Sequence, residues 1–133
     1  MNQTFFNILY TTVTDIKRKT VYYVVEDDRS KVMDAFHNLH TNQKNALKDI
    51  IKNIATLGSK YKNPNIKPLK GFKNLYQIRE GQNRFYYFTI IDEHIILFDH
   101  LIKKSKQLPH EIYISINKKR EKYESEFRRQ KQI

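Results

Sequence analysis

The sequence predicts an α+β fold, with helices packed on a mostly antiparallel sheet in the order β-α-α-β-β-β-α. Three observations carry this. A β-branched and aromatic run, Val21-Tyr22-Tyr23-Val24-Val25, precedes two stretches with apolar residues at helical spacing. Three strand patterns separated by short polar turns then occupy residues 75 to 102. Helical spacing returns after Pro109.

Each element has a local reason. Residues 1–20 are ambiguous: Phe5, Leu9, Val13 and Ile16 fall near helical spacing, whereas Thr11, Thr12, Val13 and Thr14 favour a strand, so no element is assigned there. The run 21–25 ends at Glu26-Asp27-Asp28 and reads as a buried strand. Ser30 suits the N-cap of a helix with Val32, Met33, Phe36 and Leu39 on one face. Thr41 or Asn42 suits the cap of a second helix, with Leu47, Ile50, Ile51, Ile54 and Leu57, which Gly58 stops. After a loop holding Pro64 and Pro68 come strands at Leu75 to Arg79, Arg84 to Ile91 and Ile95 to Ile102, turning at Glu80-Gly81-Gln82-Asn83 and Asp92-Glu93. Pro109 opens the last helix as its first residue, with Ile112, Ile116 and Tyr123 along one face. The expected organisation is one domain over 21–127, an N-terminal extension of unassigned structure at 1–20, and a frayed basic tail at 128–133.

The 133 residues include nine Tyr, eight Phe, three Gly and three Pro, the composition of a folded chain rather than a disordered basic tail. The absence of cysteine excludes disulfides, thiolate metal sites and cysteine nucleophiles. No apolar run approaches the roughly 18–20 residues that span a bilayer. The start, Met1 to Phe6, lacks a basic leader and small-residue cleavage site, so a cytoplasmic location without membrane association is expected. The formal net charge is +11, and its position is informative. Residues 1–58 hold eight basic and six acidic side chains; residues 59–133 hold 17 and eight. The second half therefore carries the signal for a polyanionic partner, with nucleic acid the first candidate.

Strand alternation concentrates part of that charge. With a plain four-residue turn, Arg79 lies opposite Arg84, Gln77 opposite Tyr86, and Leu75 opposite Phe88. The second turn then pairs Tyr86 with Asp99 and Phe88 with Leu97. Arg79, Gln77, Arg84, Tyr86 and Asp99 would share a face, and Ile78, Tyr76, Phe85 and Tyr87 would share the other. Two arginines across a ladder repel, and an anion between them relieves this. A bulge would move Asp99 off the face and bring His100 in. Lys67, Lys70 and Lys73 precede the meander, and Lys103, Lys104 and Lys106 follow it, forming a basic rim. A solvated sheet face, with an Arg84–Asp99 ion pair and lysines that protect strand edges, is the alternative. His37 and His40 have no third ligand at suitable spacing, and Gly58, Gly71 and Gly81 stand alone. No metal or other cofactor is therefore expected.

Taken together, Lys67-Pro68-Leu69-Lys70-Gly71, Leu75-Tyr76-Gln77-Ile78-Arg79, Arg84-Phe85-Tyr86-Tyr87-Phe88, Leu97 to Lys104 and the basic helix after Pro109 resemble the RelE/ParE superfamily of toxin–antitoxin toxins. The likeness is strongest to the HigB-like, phage-associated branch and covers about residues 21 to 124. It implies a RelE-like microbial RNase fold that cleaves mRNA, commonly on the ribosome, by attack of the 2′-hydroxyl on the adjacent phosphate. It also implies silencing by a cognate antitoxin, expected to be a helix-turn-helix protein, whose complex with the toxin binds operator DNA.

Carried over residue by residue, Lys67 and Lys70 are the basic residues before the meander, and Arg79 and Arg84 are the arginines facing across its first turn. Tyr87 matches an aromatic position, and Lys103 and Lys104 match the paired lysines that contact RNA. Gln77 stands where the branch often has Glu, and Asp99-His100 where it more usually has His-Gly. Arg79 and Arg84 suit the phosphate, Tyr86 a stacked base, and Asp99, Lys67 or Lys70 the base that removes a proton. His100 is the candidate acid if the register slips. Other readings are a ParE-like inhibitor of DNA gyrase and a non-catalytic RNA-binding domain.

Overall fold

The computed structural model describes residues 3–13, 18–91, 93–104 and 108–133. Thr4–Val13 forms strand β1 and Arg18–Glu26 strand β2; helices α1 (Lys31–His37) and α2 (Thr41–Leu57) follow, then a 3₁₀ turn at Gly58–Lys60. Strands β3 (Ile66–Pro68), β4 (Leu75–Glu80), β5 (Asn83–Ile90) and β6 (His94–Ile102) lead to helix α3 (His110–Lys131). One sheet holds all six strands in the order β1-β2-β6-β5-β4-β3. Only β2 and β6 run parallel, because the two helices between them carry the chain over the sheet before it returns through the β3–β6 meander. The fold is α+β and mostly antiparallel, as the periodicities predict, with β1 and β3 as additional edge strands.

Burial divides the sheet into two layers. Ile78, Phe85, Tyr87, Ile95, Leu97 and Val21 face α1 and α2, packing with Val32, Leu47, Ile50, Ile51 and Ile54. Tyr22, Val24, Leu75, Tyr86, Phe88, Ile96 and Phe98 face α3, packing with Ile116, Tyr123 and Phe127. Helix α3 crosses its face from the β3–β4 side, where His110 meets Phe72, to the β1–β2 side, where Phe127 meets Phe6 and Tyr22. Near its end Gln130 Nε2 donates to the Thr4 carbonyl at 2.8 Å, tying the helix to β1.

Ser30 caps α1 as expected, its Oγ accepting from the Met33 N–H at 3.1 Å. The cap of α2 is His40, one residue before the expected Thr41, and Gln43 Oε1 accepts from the His40 N–H at 3.1 Å. Pro109 is the cap of α3 rather than its first turn. The predicted Arg79–Arg84, Gln77–Tyr86 and Leu75–Phe88 pairs are all present, with Gly81 at φ +59° in the turn. Across the next turn Tyr86 pairs with Asp99 as expected, but Phe88 pairs with Ile96 and not Leu97. The cause is a β-bulge between Tyr86 and Tyr87 and their partners, which inserts Phe98 into β6. Of the Asp92-Glu93 turn, Asp92 lies outside the described residues, as does Lys106. Among the described residues no helix is long and apolar enough to cross a membrane.

Candidate phosphate-binding site

Two rows of cross-strand neighbours build the site. Arg79 and Arg84 face each other at the turn end of β4 and β5, with Leu101 beyond them on β6. Lys67, Gln77, Tyr86 and Asp99 form the next row, one residue from each of β3, β4, β5 and β6. The rows are two residues apart along each strand, roughly 7 Å, and share the α3 side of the sheet.

Arg79 is exposed, and its Nε and Nη2 both donate to Asn65 Oδ1, at 3.2 and 3.0 Å. Arg84 is 8% exposed; its Nη1 donates to the Gly81 and Asn83 carbonyls at 2.8 and 3.0 Å. Neither guanidinium meets a carboxylate within ion-pair distance among the described residues. Burial and then the positive charge of Arg79 lower the pKa of Arg84, partly offset by Tyr86 and Tyr113. The pair is thus held by neutral acceptors and keeps its charge for an anion.

Asp99 is 1% exposed. The bulge keeps it on the α3 side next to Phe98, where a regular ladder would alternate the two. Its Oδ1 lies 3.1 Å from Lys31 Nζ of α1 and accepts from the His100 N–H at 2.9 Å; its Oδ2 accepts from Lys119 Nζ of α3 at 3.2 Å. The Arg84–Asp99 ion pair of the alternative view does not form. Lys31 and Lys119 were not candidates, because both belong to helices whose placement over the sheet is a tertiary matter. The solvated charge pattern of α3 was the sole hint of Lys119. Replacing Asp99 with Asn should lower stability by about 1–3 kcal/mol, since a buried charged acceptor loses two ammonium partners that are themselves partly solvated. Urea unfolding of the variant measures this, and an unchanged midpoint contradicts it.

The other expected residues are dispersed. Tyr86 is fully buried beneath α3 and donates to Gln77 Oε1 at 3.1 Å, which leaves no ring face for a nucleobase. Burial pushes its pKa well above the usual tyrosine range. Tyr87 points the other way, into the α1–α2 layer, stacked on Tyr76 with centroids 5.0 Å apart and planes 14° from parallel. The bulge does not bring His100 to the α3 side: its ring packs on Phe85, and its Nε2 lies 2.8 Å from Asn83 Oδ1. Lys67, opposite Gln77 on the edge strand β3, is exposed, as are Lys70 and Lys104, and Lys103 is half-buried, its N–H donating to the Gln82 carbonyl at 2.7 Å.

Two histidines of β6, His94 at its start and His100 near its end, couple the fold to pH. Burial chiefly lowers the pKa of His100, with Lys31 adding to it and Asp99 opposing. Burial likewise lowers that of His94, with Glu93 opposing and Lys131 adding to it. Each is therefore neutral when folded at a pH where the unfolded chain binds a proton, so stability rises with pH through that window. The contribution is complete above the ordinary value of 6.5 and is lost as pH falls below it. Urea midpoints should fall between about pH 7.5 and pH 5.5, and less so in a His94→Gln, His100→Gln double variant.

No family model matches the chain, and no curated protein matches it. Among solved structures it is similar to a RelB–RelE antitoxin–toxin complex from Methanococcus jannaschii, at 24% identity and a TM-score of 0.45, over 53% of this chain and 81% of that one.

Proposed function

We propose that this protein is a metal-independent endoribonuclease, the toxin of a toxin–antitoxin pair, which cleaves mRNA on the ribosome. The observation that carries it is the Arg79–Arg84 pair, two guanidinium groups opposite each other with no carboxylate between them. Their planar forks match the oxygens of a phosphodiester, and Lys67 and Lys70 extend the positive edge along the strand that carries the RNA past them.

In the reaction the RNA 2′-oxygen forms a bond to the adjacent phosphorus, and the bond from phosphorus to the 5′-oxygen breaks. The products are a 2′,3′-cyclic phosphate and a free 5′-hydroxyl. Arg79 and Arg84 hold the non-bridging oxygens as charge builds on them. The 2′-hydroxyl proton passes to the side-chain amine of Lys67 or Lys70, and the departing 5′-oxygen takes its proton from a water molecule. Asp99 serves less well as the base, because both its oxygens are engaged by cations and the His100 N–H. Its role is to hold Lys119, and with it α3, against the sheet. An acidic antitoxin segment fits the uncompensated edge formed by Arg79, Lys67 and Lys70.

The engagement of Asp99 and the burial of His100 favour one second reading, a basic RNA-binding domain without catalysis. Incubation with programmed ribosomes and with naked mRNA separates the two. Cuts within codons that leave a cyclic phosphate and a 5′-hydroxyl support the nuclease. A mobility shift of intact RNA supports the second reading, and inhibited gyrase supercoiling would overturn both.

A further inference from the structure

A cavity of about 550 Å³ opens on the opposite side of the sheet from the arginine pair, between the 3₁₀ turn with its following loop and strands β3–β5. Its walls are mostly apolar, with Ile54, Ile66 and Ile95 among them, and Lys19 and Lys62 supply its charge. Among the described residues no acidic side chain lines it, and neither lysine has a carboxylate within ion-pair distance. Several of its other side-chain polar groups are engaged internally: Asn63 Nδ2 donates to the Tyr61 hydroxyl at 2.8 Å, and Thr89 Oγ1 donates to Asn74 Oδ1 at 2.7 Å.

Aromatic rings complete the lining. Tyr87 covers one face of Tyr76, and the half-buried Tyr76 ring lines the cavity together with Tyr61 and with Pro68, its partner on β3. Gly58 turns at φ +58°, and its first side-chain carbon, if it had one, would collide with the Lys19 ammonium. The turn therefore has the residue that lets the Lys19 amine lie across it.

We infer that this cavity is a nucleotide-binding site, taking a nucleobase against Tyr76 and the adjoining phosphate between Lys19 and Lys62. The volume suits one nucleotide, and apolar walls with a few placed charges are the usual makeup of a small-molecule pocket. Stacking fixes the base without reading its identity, and the two ammonium groups act as point charges on the phosphate. The site is independent of cleavage at Arg79 and Arg84. The nucleotide is either free or one unit of an RNA chain.

The test uses the full chain with Arg84→Ala, so that the arginine pair contributes little to binding. Two probes are added separately: adenosine monophosphate, and a five-nucleotide 2′-O-methyl RNA that resists cleavage. Calorimetry gives affinity, and amide NMR shifts at Tyr76, Thr89 and Lys62 locate the ligand. Shifts with both probes assign the cavity to free nucleotides, and shifts with the oligonucleotide alone assign it to an RNA chain. Lys62→Glu, at an exposed position that leaves folding intact, should weaken the binding at least about tenfold, as loss of one charge-assisted contact predicts. Absence of shifts at these residues with either probe, or affinity unchanged by Lys62→Glu, overturns the assignment.

Discussion

Arg84→Ala should reduce RNA cleavage by about 10²–10³-fold while the protein stays folded, the loss typical of removing one preorganised donor from a developing oxyanion. The guanidinium's own bonds, to the Gly81 and Asn83 carbonyls, brace the β4–β5 turn. Losing them costs roughly 1 kcal/mol each, which a domain of this size tolerates. Arg84→Lys separates charge from geometry: it keeps the cation but loses the fork, so partial activity is expected. Thermal unfolding of each variant provides the control. Full cleavage by Arg84→Ala would remove the arginine pair from the mechanism.

Phe127→Ala should have the largest effect on stability. The ring is fully buried and meets Phe6 of β1, Tyr22 of β2 and His94 of β6, with centroids 5.0, 5.1 and 5.1 Å away. It pins the end of α3 to three strands at once. Truncating a buried Phe costs about 3–5 kcal/mol, against a typical total of about 5–15. The melting temperature should fall by roughly 10–20 °C. Because Phe127 lies on the same helix as Lys119, the variant should also loosen α3 over Asp99, seen as faster amide exchange in Gln77 and Tyr86. Unchanged exchange there would mean that the two ends of α3 are held independently.

The legible parts of the fold were those decided by near neighbours. Ser30 was identifiable as a cap because its oxygen serves an N–H three residues on. The Arg79–Arg84 pairing followed from turn length and alternation alone, because hairpin partners are close in sequence. Strand β1 was not legible. Its threonines and its apolar spacing pulled in different directions, and pairing with β2 settles the contest by supplying hydrogen bonds along its length. Phe127 went unnoticed for a related reason: it stands before Arg128, Arg129 and Lys131, a run that reads as solvated, while its own ring turns inward.

The candidate site divides in the same way. Tyr86 and Asp99 were placed opposite each other correctly, but their exposure was not foreseeable, because burial depends on where α3 lies. The sequence by itself determined the α+β class, the two helical stripes, the β4–β5 register and the position of the paired arginines, since these follow from periods of two and 3.6 residues and from short turns. Only the tertiary structure decided that β2 runs parallel to β6, that a bulge keeps Asp99 on the α3 side, and that α3 covers Tyr86. Those outcomes rest on contacts such as Tyr123 with Glu26, 97 residues apart. No local pattern encodes such a contact; it forms only once both faces of the sheet have buried their apolar side chains.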